Sequence, residues 1–247
     1  MILVLAMILS ISTTAFATPN QPQKAQITQE SIERMIAQQE GNSDVEIQVS
    51  PGAVAVFVLG ILAGYVIDGI VGCKALTISF SGLLGGHSGV GINKGHANAL
   101  VSIATLLAML RQGGVSYRVA SFSGGQAKNA IPAFGTATVV LSAAEEDRAK
   151  AIIETFRGEF AEAFGNIEPD MVFTTAFGDT APDRVLTGEI GYGMVGLMTT
   201  VPNNVHTMSP FIDGLVESSA NLGVVSVDDD MVRFTVFARS SVAYQAT

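Results

Sequence analysis

Strand-like and helix-like patterns alternate from Lys74 onward, and their order limits the folds open to this chain. Helical periodicity predicts helices over residues 96–112, 145–165 and 183–201. Period-two alternation predicts strands at residues 74–82, 115–125, 134–144 and 171–177, and a closing hairpin of 222–227 with 231–240. Paired strands between helices and a terminal hairpin do not suit a purely parallel sheet. We therefore predict an α+β domain over residues 74–247, an antiparallel sheet with helices packed on one face.

Two of the predicted helices carry recognisable end signals. Asn93 is placed to cap the first helix, and the pair Gly113-Gly114 is placed to stop it. The second helix opens with the acidic pair Glu145-Glu146, which suits the positive end of a helix dipole.

The first 72 residues differ from the rest of the chain in composition. Residues 1–17 form an apolar run that ends in Ala15-Phe16-Ala17, which predicts a signal peptide although a basic leading segment is missing. Residues 18–49 are polar and predict a linker with a short helix. Residues 50–72 are apolar and glycine-rich, with Asp68 as their one charge. That length fits a membrane helix, but the β-branched run AVAVFVL fits a buried strand pair equally well, so both remain open.

Composition excludes several classes of function. The net charge of −9 argues against nucleic acid as a partner, because nucleic acids are bound through clustered Lys and Arg. Cys73 is the single cysteine, so an internal disulfide and a cysteine-based metal cluster are both excluded.

The three histidines are the first candidates for chemistry. His87 lies in GLLGGHSGVGIN (82–93) among five glycines, which allow another molecule to approach the backbone closely. Its imidazole could donate an N–H to a developing oxyanion, although a plain turn would explain the glycines equally well. His96 and His206 are more simply read as a helix-surface residue and a loop residue. No set of converging N, O or S ligands can be assembled, so we predict no metal site in this chain.

Two polar residues elsewhere are candidates for substrate binding. Asn129, in SGGQAKNAIP (123–132), could donate to a ligand carbonyl, or it could simply form the turn. Arg239 ends the last predicted strand, where its guanidinium could bind a carboxylate or form a surface ion pair.

Four blocks in order carry a resemblance to a known family. They are GLLGGHSGVGINKGHANAL, FSGGQAKNAIPAFGTATVVL, VPNNVHTMSPFIDGLVESSANLGVVSV and VRFTVFARSSV. Residues 74–247 resemble the lid, or dimerisation, domain of the aminoacyl-histidine dipeptidases, zinc metallopeptidases related to carnosinase and carboxypeptidase G. The resemblance implies a homodimer and a dipeptide substrate. It also implies that His87 polarises the scissile carbonyl and that Asn129 and Arg239 contact the substrate.

This sequence departs from the family at the residues that bind zinc. The family's two zinc ions are held by an HxD motif, an adjacent acidic pair and a further Asp before the lid, and by a His after it. This sequence has no histidine before residue 74 and none after His206. Glu145-Glu146 lies inside the lid, and Asp68 lacks partner ligands. We therefore expect a partial dipeptidase-like chain that is inactive alone.

Two other interpretations stay open. One is an exported or membrane-anchored module that dimerises or binds peptides. The other is a small secreted hydrophobic peptide fused near Gly72 to a dipeptidase fragment. The leader favours secretion or membrane association if it functions as a signal, whereas a typical family member is cytoplasmic.

Overall fold

A computed structural model describes residues 45–50, 54–62, 65–66, 72–180, 182–228 and 231–240. The predicted signal peptide at 1–17 and most of the predicted linker at 18–49 lie outside the described residues. In chain order the strands and helices are β1 Val45–Ser50, β2 Val54–Leu62, β3 Tyr65–Val66, β4 Cys73–Ser81, β5 Gly86–His87, α1 Ala99–Gln112, β6 Tyr117–Gly124, β7 Ala130–Ile131, β8 Gly135–Ser142, α2 Glu146–Phe164, β9 Val172–Gly178, β10 Val185–Leu186, α3 Gly188–Thr200, β11 Asn204–Met208, β12 Val216–Val227 and β13 Met231–Ser240.

An antiparallel sheet forms one layer of the fold, as predicted. Within the described residues its order is β1-β2-β13-β12-β6-β8-β4-β9, and β11 also pairs with β12. The long strand β12 has different partners along its length on one edge. Its first half pairs with β11, and residues near its end pair with β6. Two short pairs, β3 with β10 and β5 with β7, lie outside this sheet.

Of the two alternatives for residues 50–72, a membrane helix or strands, the structure shows strands. β2 pairs with β13 over nine positions, from Val54↔Arg239 to Leu62↔Met231. A β-branched run can therefore join an existing strand edge in place of forming a helix. Among the described helices, none combines the length and apolar character that a membrane span requires. The sheet thus extends before residue 74, where the sequence pattern placed the start of the domain.

The three helices cover one face of the sheet and enclose the core. Inward-facing side chains of β4 alternate along the strand, with Leu76, Ile78 and Phe80 almost fully buried. α1 is the central helix, and one apolar stripe along it faces the sheet. The large side chains of this stripe are all fully buried: Leu100, Ile103, Leu106, Leu107 and Leu110.

The other two helices complete this layer. α2 and α3 both pack beside α1, so the helices form a single layer. The buried cluster that joins this layer to the sheet contains the aromatic side chains of Phe80, Phe156 and Phe160. Their ring centroids lie 4.9–6.2 Å apart, which is the range of favourable aromatic contacts.

The start of α1 corrects one prediction from the sequence. The helix is capped by Asn98 and not by Asn93, which lies in a short 3-10 turn at Ile92–Lys94. The Asn98 Oδ1 accepts hydrogen bonds from the backbone N–H groups of Leu100 (3.0 Å) and Val101 (3.3 Å). Gly113 ends the helix as predicted.

Candidate functional site

The His87 loop is held at both ends by one buried carboxylate. Glu168 is only 1% exposed. Its Oε2 accepts from the backbone N–H of Leu84 (2.6 Å), and its Oε1 accepts from that of Ala97 (2.9 Å). The same Oε1 lies 3.4 Å from the His96 Nδ1. His96 therefore packs against a structural carboxylate, and both ends of the loop are tied to one residue.

The imidazole of His87 is oriented by its own loop. Its Nδ1 lies 3.3 Å from the backbone nitrogen of Gly89 and 3.2 Å from that of Val90, and both N–H groups point at it. Because an Nδ1 that accepts hydrogen bonds carries no proton, the neutral ring has its proton on Nε2. The loop thus selects the tautomer whose exposed nitrogen is a donor.

Arg239 lies directly against this donor. The Arg239 Nη2 is 3.3 Å from the His87 Nε2, although 152 positions separate the two residues. The guanidinium also lies over the ring of Phe237, with its Cζ 4.6 Å from the ring centroid. Partial burial lowers the pKa of Arg239 from its ordinary value. A guanidinium can only donate, so with His87 in the Nε2–H tautomer this contact is a meeting of two donors and not a hydrogen bond. Both groups are then left to donate to an oxygen acceptor that lies between them.

Gly89 makes this approach sterically possible. A Cβ at residue 89 would lie 2.9 Å from the Arg239 Cζ, closer still to its Nη1, and 3.2 Å from the His87 Cε1. Any side chain here would therefore displace the guanidinium. The glycine-rich loop is consistent with close approach by another group, here a side chain of the same chain.

Asn129 lies beside the His87 loop on a second loop. β5 pairs with β7 so that His87 faces Ala130. The backbone N–H of Ser88 donates to the carbonyl oxygen of Asn129 at 2.9 Å. The structure thus brings His87 and Arg239 into contact and places exposed Asn129 in the turn just before β7, next to His87.

Unpaired buried polar atoms concentrate around these residues. In the described part of the chain, five buried side-chain nitrogen or oxygen atoms lack a hydrogen-bond partner. Tyr117 Oη is one, and His96 Nδ1, which lies beside the Glu168 carboxylate, is another. The remaining three are Ser88 Oγ, Asn221 Oδ1 and Arg239 Nε, which belong to or contact the segments of His87, Asn129 and Arg239. Buried polar atoms are nearly always paired, and unpaired ones mark places shaped by something other than stability. Their concentration supports a functional site at this position.

Ser219 and Asn221 were missed by reasoning from the sequence. The predicted hairpin starts at residue 222 and does not include them, whereas β12 begins at Val216. Both residues are buried, and they alternate along one face of the strand. The sequence did contain a signal for them: two polar residues, two positions apart, directly precede an apolar strand pattern and so fall on one face of its extension.

The described residues do not fit a zinc site of this chain's own. They contain no group of three or more His, Cys, Asp or Glu that could hold a metal. The His87 Nδ1 is occupied by two backbone amides, and a guanidinium faces its Nε2. A cation beside the open nitrogen disfavours a divalent metal there.

The chain is similar to known peptidases in sequence and in fold. Residues 78–168 match the family model of the peptidase dimerisation domain. The chain is 30% identical over 175 residues to the cytosol non-specific dipeptidase of Escherichia coli (strain K12), and the match covers 69% of this chain and 35% of that protein. The crystal structure of the aminoacylhistidine dipeptidase from Vibrio alginolyticus superposes with a TM-score of 0.70 at 26% identity, covering 84% of this chain and 42% of that one. The chain therefore spans less than half the length of these relatives.

Proposed function

From the premise that residues 78–168 form a peptidase dimerisation domain, we propose that this chain is the lid portion of a metal-dependent dipeptidase. In this role it binds the dipeptide and contacts a second lid in a homodimer. The contact between His87 and Arg239 is the observation that carries the proposal, because two donors converge there from distant parts of the chain.

Each candidate residue has a distinct task. The His87 Nε2–H donates to the scissile carbonyl oxygen and stabilises the negative charge that develops on it. Arg239 binds the carboxylate of the dipeptide through its planar fork of N–H groups. Asn129 donates from its side-chain amide to a second polar group of the substrate.

Hydrolysis itself needs groups that the described residues do not supply. In the family that this chain resembles, two zinc ions activate the water that attacks the peptide bond. We expect no dipeptidase activity from the purified chain with added zinc, cobalt or manganese. Hydrolysis of a dipeptide ending in histidine, abolished by a chelator, would contradict this expectation.

Binding can be tested separately from hydrolysis. We expect a dipeptide ending in histidine to perturb the NMR signals of His87 and Arg239 in the whole chain. Arg239→Lys keeps the charge but removes the fork, so it should weaken binding. The surface variant Arg148→Lys is the matched control. Equal affinities of all three chains would exclude a substrate role for Arg239.

The dimer is tested by light scattering coupled to size-exclusion chromatography. The whole chain is the appropriate sample, because removal of residues before 74 would strip β2 from nine paired positions of β13. A strictly monomeric chain at high concentration would contradict the proposed homodimer.

For location we propose the cytosol, since one relative is named as a cytosolic dipeptidase. The pairing of β2 with β13 also argues against the interpretation of two unrelated segments joined near Gly72. Cell fractionation with sequencing of the mature N-terminus would decide between the cytosol and export. Removal of residues 1–17 would support the export interpretation instead.

A further inference from the structure

Asn221 is a buried polar residue in the middle of a strand, and the proposed substrate contacts do not use it. Its side chain is 0% exposed. It faces the same side of β12 as Ser219, which pairs with Arg239 on β13. Asn221 therefore lies on the face of the sheet from which the guanidinium projects.

The amide of Asn221 holds the loop that carries Asn129. Its Nδ2 donates to the carbonyl oxygens of Lys128 (3.3 Å) and Ala130 (2.8 Å), the two residues that flank Asn129. These acceptors also fix the orientation of the amide, because a flipped group would place its oxygen against two carbonyl oxygens.

A strand irregularity lets this loop lie directly on β12. The register of β12 against β13 shifts between Leu222 and Val224. A Cβ on the intervening Gly223 would lie 2.7 Å from the Lys128 carbonyl oxygen and 2.9 Å from its Cα. The loop backbone therefore packs on a strand position where no side chain fits.

Ser219 makes the corresponding contact to the other loop. Its Oγ lies 3.4 Å from the carbonyl oxygen of Ser88, the residue after His87. The Ser88 N–H in turn donates to the Asn129 carbonyl. β12 thus contacts both loops, and it is paired with the strand that carries Arg239.

We propose that Asn221 is a positioning residue that sets the place of Asn129 relative to His87 and Arg239. It acts through the two flanking carbonyl groups and does not touch the substrate. Its meaning for catalysis rests on the proposed function, but the positioning itself is a property of the unliganded chain.

The test is amide hydrogen exchange by NMR on the whole chain without ligand. Asn221→Asp replaces the donor by oxygens that face two carbonyl oxygens, and Asn221→Ala removes the donor without that repulsion. We expect the amides of Ser88 and Ala130 to exchange at least about tenfold faster in Asn221→Asp, with a smaller increase in Asn221→Ala. The exposed variant Asn166→Asp adds the same charge and should change neither amide.

Core amides of α1, at Leu106 and Leu107, serve as the internal reference. They should keep their exchange rates if Asn221 positions the loop alone. Unchanged exchange at Ser88 and Ala130 would overturn the proposal. Equal acceleration in α1 would also overturn it, as would failure of Asn221→Ala to fold, since both would make Asn221 a general stability residue. None of these outcomes depends on whether the chain binds a dipeptide.

Discussion

Gly89→Ala should separate the geometry of the site from the stability of the fold. The backbone of Gly89 is not in the left-handed region, so alanine meets no conformational strain there. The added methyl group would lie 2.9 Å from the Arg239 Cζ, whereas carbon atoms pack best at about 3.5–4.0 Å. The guanidinium must therefore move away from residue 89 by roughly 1 Å or more, which changes its position relative to His87.

The two consequences of this movement differ in size. Replacing glycine by alanine at a compatible position stabilises a protein by about 0.4–1 kcal/mol, which offsets the loss of one partly exposed contact. We therefore expect the free energy of unfolding to change by less than about 1 kcal/mol. If Arg239 binds the dipeptide carboxylate as proposed, a displaced guanidinium loses a charge-assisted hydrogen bond worth about 1.5–3 kcal/mol, and dipeptide affinity should fall roughly tenfold or more.

The assays are urea unfolding and NMR titration with a dipeptide ending in histidine. Gly158→Ala is the matched control, because a Cβ there meets nothing within 4 Å. Unchanged affinity in Gly89→Ala at native stability would refute the placement of Arg239 in the substrate site. A loss of several kcal/mol in stability would refute the view that Arg239 is free to move.

Three further predictions concern stability. Gly158→Ala in α2 should raise the free energy of unfolding by about 0.5–1 kcal/mol, because glycine is a poor helix former, and no change by urea unfolding would contradict it. Asn98→Ala should cost about 2–3 kcal/mol, since it removes the cap of α1 and the donor to the Leu222 carbonyl at 2.9 Å; a loss below about 0.5 kcal/mol in the same assay would count against this. Partial desolvation lowers the pKa of His206, an exposed residue of β11, below its ordinary 6.5. The unfolded chain therefore binds the proton more readily, and His206 contributes a small loss of stability as the pH falls through 6.5. His206→Gln should remove that part of the pH dependence in thermal unfolding, and an unaltered pH profile would disprove the contribution.

Local patterns predicted most of the helices and strands. Helix α2 followed from its amphipathic repeat and acidic first turn, and β4 followed from the alternation that buries Leu76 and Ile78. The cap of α1 was assigned to the wrong asparagine, because Asn93 and Asn98 both precede an apolar run. Only the chain path, which brings Leu222 and Asn203 to Asn98, distinguishes them.

Contacts between distant segments could not be predicted from local pattern. The side of the sheet on which β2 pairs depends on which edge of β13 is free, and a β-branched run does not encode that choice. The resemblance supplied His87, Asn129 and Arg239 as separate residues. Their arrangement depends on pairings such as His87↔Ala130 and Ser219↔Arg239, which join positions far apart in the chain.

The pairing of β13 on both of its edges makes the strand of Arg239 more rigid than the loops that carry His87 and Asn129. Arg239 lies on a strand that is hydrogen-bonded to β2 and to β12, so its backbone moves only when the sheet moves. The loops of His87 and Asn129 are joined by a two-residue ladder and a few side-chain contacts, and such segments open at far lower cost than a sheet. Under the proposed function, the backbone of Arg239 would keep its place while the loops of His87 and Asn129 adjust to a bound dipeptide.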